Sequence, residues 1–187
     1  MTPDTGTTRL ARVIRPLAQA HPGKSGVVPL ADGHDAFAAR ALLADAAERT
    51  LDVQYYIWHK DLSGTLLLGA LHRAAERGVR VRLLLDDNNT RGLDVLLAAL
   101  AAHPNIEVRL FNPFKLRRWR ALNFLTDFGR LNRRMHNKSF TADNRIIDIP
   151  EFPRRRLIND FEIRYGGFAP RAPIDDIFAA IDQPFLI

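Results

Sequence analysis

The sequence predicts an α/β fold, a parallel or mixed β-sheet flanked by helices, and two patterns carry that prediction. Leu51–Ile57, Val79–Leu85 and Ile106–Leu110 place large apolar or β-branched residues at every second position, the period of a half-buried strand. Helix-length segments with apolar residues at helical spacing separate them through short connections. Strand, helix, strand, helix and strand in that order read as right-handed crossovers of a parallel sheet.

Residues 1–33 mix Pro16, Pro22, Gly23, Gly26, Pro29 and Gly33 with an apolar stretch around Val13–Ala20, which predicts a brief helix and then a loop. Asp35–Glu48 comes next as a helix with Phe37, Ala38, Ala41, Leu42 and Ala46 as its apolar stripe. After the first strand, Trp58–Gly64 reads as a loop, and Leu66–Arg77 as a helix stopped by Gly78. The second strand ends in Asp86 and Asp87. Gly92 precedes a helix carrying Leu93, Leu96, Leu97 and Leu100, terminated by Pro104 ahead of the third strand. In open α/β sheets the loops leaving the carboxyl ends of strands carry function, which singles out Trp58–Asp61 and Asp86–Asn89.

The composition suits one soluble domain: 187 residues, 47% hydrophobic and 26% charged. There are no cysteines, so disulfides, thiolate metal ligands and cysteine nucleophiles are excluded on this chain. No run reaches membrane-spanning length, and Asp4, Arg9, Arg12 and Arg15 interrupt any signal-peptide core, so the chain is expected to be soluble or peripheral to a membrane. The net charge of +6 is concentrated. Lys115, Arg117, Arg118, Arg120, Arg130, Arg133 and Arg134 gather in one segment, with Arg154, Arg155 and Arg156 beyond it. That suits an anionic partner, phospholipid headgroup, membrane surface or nucleic acid, and it also suits a solvated basic face with no partner. Phe114, Trp119, Phe124 and Phe128 are interleaved among these cations, and packing onto the sheet is the expected role of Phe124 and Phe128.

Arg134–Asp143 (RMHNKSFTAD) is the stretch with the most chemistry in it. Its alternation predicts a strand on which His136 and Lys138 share a face, with Asp143 and Asn144 turning the chain into a hairpin. A histidine can serve as nucleophile or as acid and base near neutral pH, and a lysine can hold phosphate oxygens as charge develops on phosphorus. A lone strand histidine can equally be a structural hydrogen-bonding group. Asp86 and Asp87 could ligate a metal or act as acid and base, but strand-end carboxylates more simply cap the next loop and pair with arginines. No metal site is proposed.

With those elements placed, four blocks in order resemble the phospholipase D superfamily in its bacterial cardiolipin synthase-like branch: DVQYYIWHKDLSG, LLLGALHRAAERGVRVRLLLDDNNT, HPNIEVRLFNPF and DFGRLNRRMHNKSFTADN. The resemblance divides the chain into a helix and loop (1–33), a phospholipase D-like three-layer αβα domain (34–149) and an atypical tail (150–187). It implies a phosphodiesterase or phosphatidyltransferase working through a phosphohistidine, with two HxKxxxxD segments around one active site and no metal or organic cofactor. On this chain His136 would be nucleophile or acid, Lys138 would hold the non-bridging oxygens, and Asp143 would be the motif carboxylate in a supporting role.

Two departures qualify it. The close match ends near Asn144, where RIIDIPEFPRRRLIND, with Pro150 and Pro153, replaces the expected glycines and pairing strand, as an altered reading frame would produce. Only one motif is present, because His21, His34, His59, His72 and His103 lack a lysine two residues on. A complete site would therefore need two copies, as a homodimer. Three readings stand side by side: a lipid-acting enzyme that works as a homodimer, a single-motif dimeric nuclease, and an inactive half that binds anionic surfaces.

Overall fold

The computed structural model describes residues 4–30, 32–115, 129, 134, 135 and 137–148. Among the described residues four α-helices, α1 (Arg9–Ala20), α2 (Gly33–Ala46), α3 (Leu62–Glu76) and α4 (Asp94–Ala101), accompany five strands, β1 (Thr50–Tyr55), β2 (Arg80–Asp86), β3 (Ile106–Phe111), β4 (Ser139–Ala142) and β5 (Ile146–Asp148). The sheet runs β3-β2-β1-β4-β5. β1, β2 and β3 are mutually parallel, and β4 and β5 join antiparallel, so the sheet is mixed and the fold is α/β.

Period-two patterning sorts the sheet into two faces. Leu51, Val81, Ile106 and Ala142 form one row by register, and Val53, Leu83, Val108 and Phe140 the next. These rows belong to the core, together with Leu67, Leu71 and Leu97 of the helices. The intervening rows are polar: Asp52 lies beside Arg82 and ion-pairs with it, and Glu107 pairs with Arg109. A slip of one residue would exchange core and surface, which holds the register.

Helix ends obey local chemistry. Gly78, at φ 92°, ends α3 as expected: its N–H donates to Ala75 and that of Val79 to Ala74, satisfying carbonyls that α3 leaves open. Arg77 reaches back to the last carbonyls of α2, at Ala44 and Asp45. Helix α1 begins four residues before the expected apolar stretch because Thr8 caps it, and Leu10 is buried within the main core.

The Asp143–Asn144 turn is observed, with both residues left-handed (φ 50° and 51°) and Arg145 N–H donating to Ala142. Two expectations are corrected. The strand of this stretch starts only at Ser139, after Lys138, and the face expected to be shared with His136 lies outside the described residues. Sheet pairing also continues past Asn144, because Ile146–Asp148 fits between the turn and Pro150 as an antiparallel strand. The expected roles of Trp119, Phe124 and Phe128, and the tail, lie outside the described residues. Among the described residues no helix is long and apolar enough to cross a membrane.

Candidate active site

The carboxyl ends of β1 and β2 and the chain entering β4 come together at one end of the sheet. Gln54, near the end of β1, is opposite Ser139, the first residue of β4, so Lys138 arrives beside the end of β1. The switch from parallel to antiparallel pairing falls here, where open α/β sheets place their ligands. Asn89, after β2, donates to the carbonyl of Tyr56, after β1, at 3.2 Å and ties the two strand-end loops together.

Asp86 and Asp87 are fully buried at the tip of β2. One oxygen of Asp86 accepts from the N–H of Asn88 (2.9 Å) and the guanidinium of Arg134 (3.1 Å), and the other from the N–H of Met135 (3.1 Å). Asp87 accepts from the Thr90 hydroxyl and from the N–H of Phe114, both at 2.8 Å. Arg134 then lies over the Phe114 ring, 5.3 Å from its centre. The two carboxylates therefore cap their loop, and Asp86 pairs with an arginine, as the simpler sequence reading expects; that arginine belongs to the motif stretch.

The WHKDLSG loop is built as tightly. The Asp61 carboxylate caps α3, accepting from Gly64 N–H at 2.7 Å and the Ser63 hydroxyl at 2.9 Å, and these bonds hold it below the usual carboxylate range. A Cβ on Gly64 would come within 2.2 Å of the His59 carbonyl. Trp58 is buried edge-on to Tyr55, ring centres 5.1 Å apart, and burial raises the Tyr55 phenol well above its ordinary value. That phenol stays protonated near neutral pH.

Asp143 stands elsewhere. It comes directly after β4, whose far end pairs with Leu51, so it sits at the amino end of β1, roughly 13 Å along the chain direction from Ser139. It is fully buried, and its carboxylate accepts the N–H groups of Glu48 (3.1 Å), Arg49 (2.8 Å) and Thr50 (2.9 Å). Its chemistry is the anchoring of β1 to the hairpin. Lys138, half-buried, stands at the opposite end, and His136 lies outside the described residues. Asp86 as the tether of Arg134 and Met135 was not legible beforehand. The signal was present as a buried strand-end acid and a basic run, but nothing in it paired one with the other.

An open α/β sheet with chemistry-bearing loops at its parallel carboxyl ends and a switch strand beside them defines a class of strand-end-site proteins. Comparison narrows the class. Residues 41–149, more than half of the chain, match the family described as "Cardiolipin synthase, PLD-like domain", and the chain belongs to that family. It is 65% identical over 135 residues to cardiolipin synthase C of Escherichia coli K12, covering 72% of this chain and 28% of that protein. It is 34% identical over 116 residues to the major cardiolipin synthase ClsA of Bacillus subtilis 168, covering 61% of this chain and 22% of that one. The chain thus spans about a quarter of the length of these relatives. Among solved structures, NucT from Helicobacter pylori aligns with a TM-score of 0.42 at 18% identity, over 61% of this chain and 64% of that one.

Proposed function

We propose that this chain is one catalytic half of a phospholipid-acting phosphodiesterase or phosphatidyltransferase. Cleavage takes place at the carboxyl ends of β1 and β2. The observation that carries the reading is the delivery of Arg134, Met135 and Lys138 to those strand ends, the first two bonded to Asp86. Identity of 65% to a cardiolipin synthase supports lipid as the substrate class.

In this reading the imidazole of His136 attacks phosphorus. A P–N bond forms as the P–O bond to one alcohol breaks, and the departing alkoxide takes a proton from a second histidine. Lys138 neutralises the non-bridging oxygens as negative charge grows on them. Water or another alcohol then attacks phosphorus, yields its proton to the second histidine and releases His136. With one motif per chain, the second histidine is His136 of a second copy related by twofold symmetry. Asp143 serves as the anchor that holds β4 in register and does not touch substrate.

The test combines light scattering with a turnover assay on phosphatidylglycerol vesicles. A dimer fraction that releases glycerol or forms cardiolipin, and a His136→Ala variant of the same mass that does neither, is the expected result. A wild-type chain with no turnover on these vesicles would sink the proposal. If that chain nevertheless binds the vesicles, the inactive anionic-surface reading takes its place, a reading favoured by the single motif. Degradation of single-stranded DNA in place of lipid would move the substrate class to nucleic acid.

A further inference from the structure

We propose that Asp86 is a positioning residue for the motif stretch, a buried clamp that fixes the chain immediately before His136 against the tip of β2. The inference rests on the phosphodiesterase reading only for the purpose of the clamp. The clamp itself stands on geometry among Asp86, Arg134 and Met135.

Asp86 is fully buried and spends both carboxylate oxygens on fixed partners. One bond is local, to Asn88, and ties the acid to its own loop. The other two reach across 48 and 49 residues of sequence to Arg134 and Met135. Arg134 is itself held from a second side by the Phe114 ring, and Phe114 is pinned through its N–H to Asp87. Both neighbouring acids thus act on the same short segment, one directly and one through an aromatic ring.

The clamped atoms matter because His136 is the very next residue in the chain. Successive α-carbons across a trans peptide are about 3.8 Å apart, so holding the Met135 N–H confines where that residue can begin. On the other side, Lys138 runs into Ser139, whose place is set by pairing with Gln54. The His-x-Lys segment is thereby fastened at both ends to two different strands, β2 before it and β1 after it. These two attachments bound the position of the residues between them. Catalytic groups need placement to within a fraction of an ångström, which a segment tethered at only one end does not supply.

Asp86→Asn is the discriminating variant. The amide keeps the volume but has one acceptor oxygen, which satisfies two donors when turned toward Asn88 and Arg134 and only one when turned toward Met135, so the Met135 bond is the one lost. Amide hydrogen exchange at Met135, referred to Val53 and Leu83 in the core, separates release of the clamp from general destabilisation. Exchange at Met135 is expected to accelerate roughly tenfold to a hundredfold beyond that of the core amides. Asp143→Asn is the control, another fully buried acceptor of backbone N–H groups at the far end of the sheet, and it should move Met135 and the core together. The response of the His136 imidazole resonances to inorganic phosphate should weaken about tenfold in Asp86→Asn and not in Asp143→Asn.

Met135 exchange that tracks the core in Asp86→Asn, or an unaltered phosphate response at His136, overturns the clamp. If Asp86→Asn does not fold, Arg134→Gln removes the other long-range bond, the Arg134–Asp86 pair, and an unaltered phosphate response at His136 there overturns the clamp equally. Turnover of the wild-type chain is measured separately. An inactive wild type with a released Met135 in Asp86→Asn removes the phosphodiesterase reading and leaves the clamp standing.

Discussion

Asp143, the last residue of the HxKxxxxD pattern, works as a structural anchor at the amino end of β1. Its carboxylate accepts three consecutive backbone N–H groups where α2 hands over to β1, and its own N–H donates to Thr50 at 2.8 Å. Removing a buried acceptor strands its donors at about 1–3 kcal/mol each, so Asp143→Ala should lower stability by about 3 kcal/mol or more in urea unfolding. Asp143→Asn should cost distinctly less, since asparagine tolerates the left-handed backbone and one oxygen can keep the Arg49 and Thr50 bonds. Equal losses in the two variants would refute this account of the motif carboxylate. Gly64 offers a second test. Alanine would gain up to about 1 kcal/mol in helix propensity, yet its Cβ would lie 2.2 Å from a backbone carbonyl that cannot swing aside. Overpacking wins, and Gly64→Ala should lose roughly 1–3 kcal/mol by thermal or chemical unfolding.

At the scale of an element, α3 depends on pH through its cap. The Gly64 N–H bond first, and the Ser63 hydroxyl second, hold the Asp61 carboxyl below its ordinary value. The unfolded chain therefore takes up a proton at higher pH than the folded one does. The resulting stabilisation is fully present above the ordinary carboxyl value and is lost as pH falls through the depressed folded value. The stability difference between wild type and Asp61→Asn should be largest above about pH 5 and should shrink steadily as pH falls through the ordinary carboxyl value and below it. A difference that stays constant across that range would mean the charge contributes nothing to the cap. The β4–β5 hairpin shows the same dependence on local chemistry. Asp143 and Asn144 are residue types that accept a left-handed backbone, which lets the turn form and β5 pair before Pro150.

For the whole molecule, the net charge of +6 and the basic run after β3 set long-range behaviour. Under the lipid reading, binding to phosphatidylglycerol vesicles should exceed binding to zwitterionic vesicles. It should fall about tenfold or more between 50 and 300 mM salt, as measured by co-sedimentation. Salt-insensitive binding would assign the attraction to apolar contact. Under the homodimer reading proposed above, the site is assembled from two motif copies, and activity should then rise with protein concentration wherever light scattering shows the dimer growing in.

By itself, the sequence determined the α/β class, the order of the elements, the Gly78 stop, the Asp143–Asn144 turn and the family resemblance. Each of these is written in local periodicity, in backbone conformational preference or in contiguous blocks of residues. The end of the sheet at which a residue stands is a different kind of fact. His136, Lys138 and Asp143 are close in sequence, yet β4 carries Lys138 to the carboxyl end of β1 and Asp143 to the amino end. The pairing of Asp86 with Arg134 and Met135 likewise spans about half a hundred residues and required β2 and β4 to flank β1. Only the tertiary structure decided these two matters, because strand order and register bring groups together across distances on which local preference has no purchase.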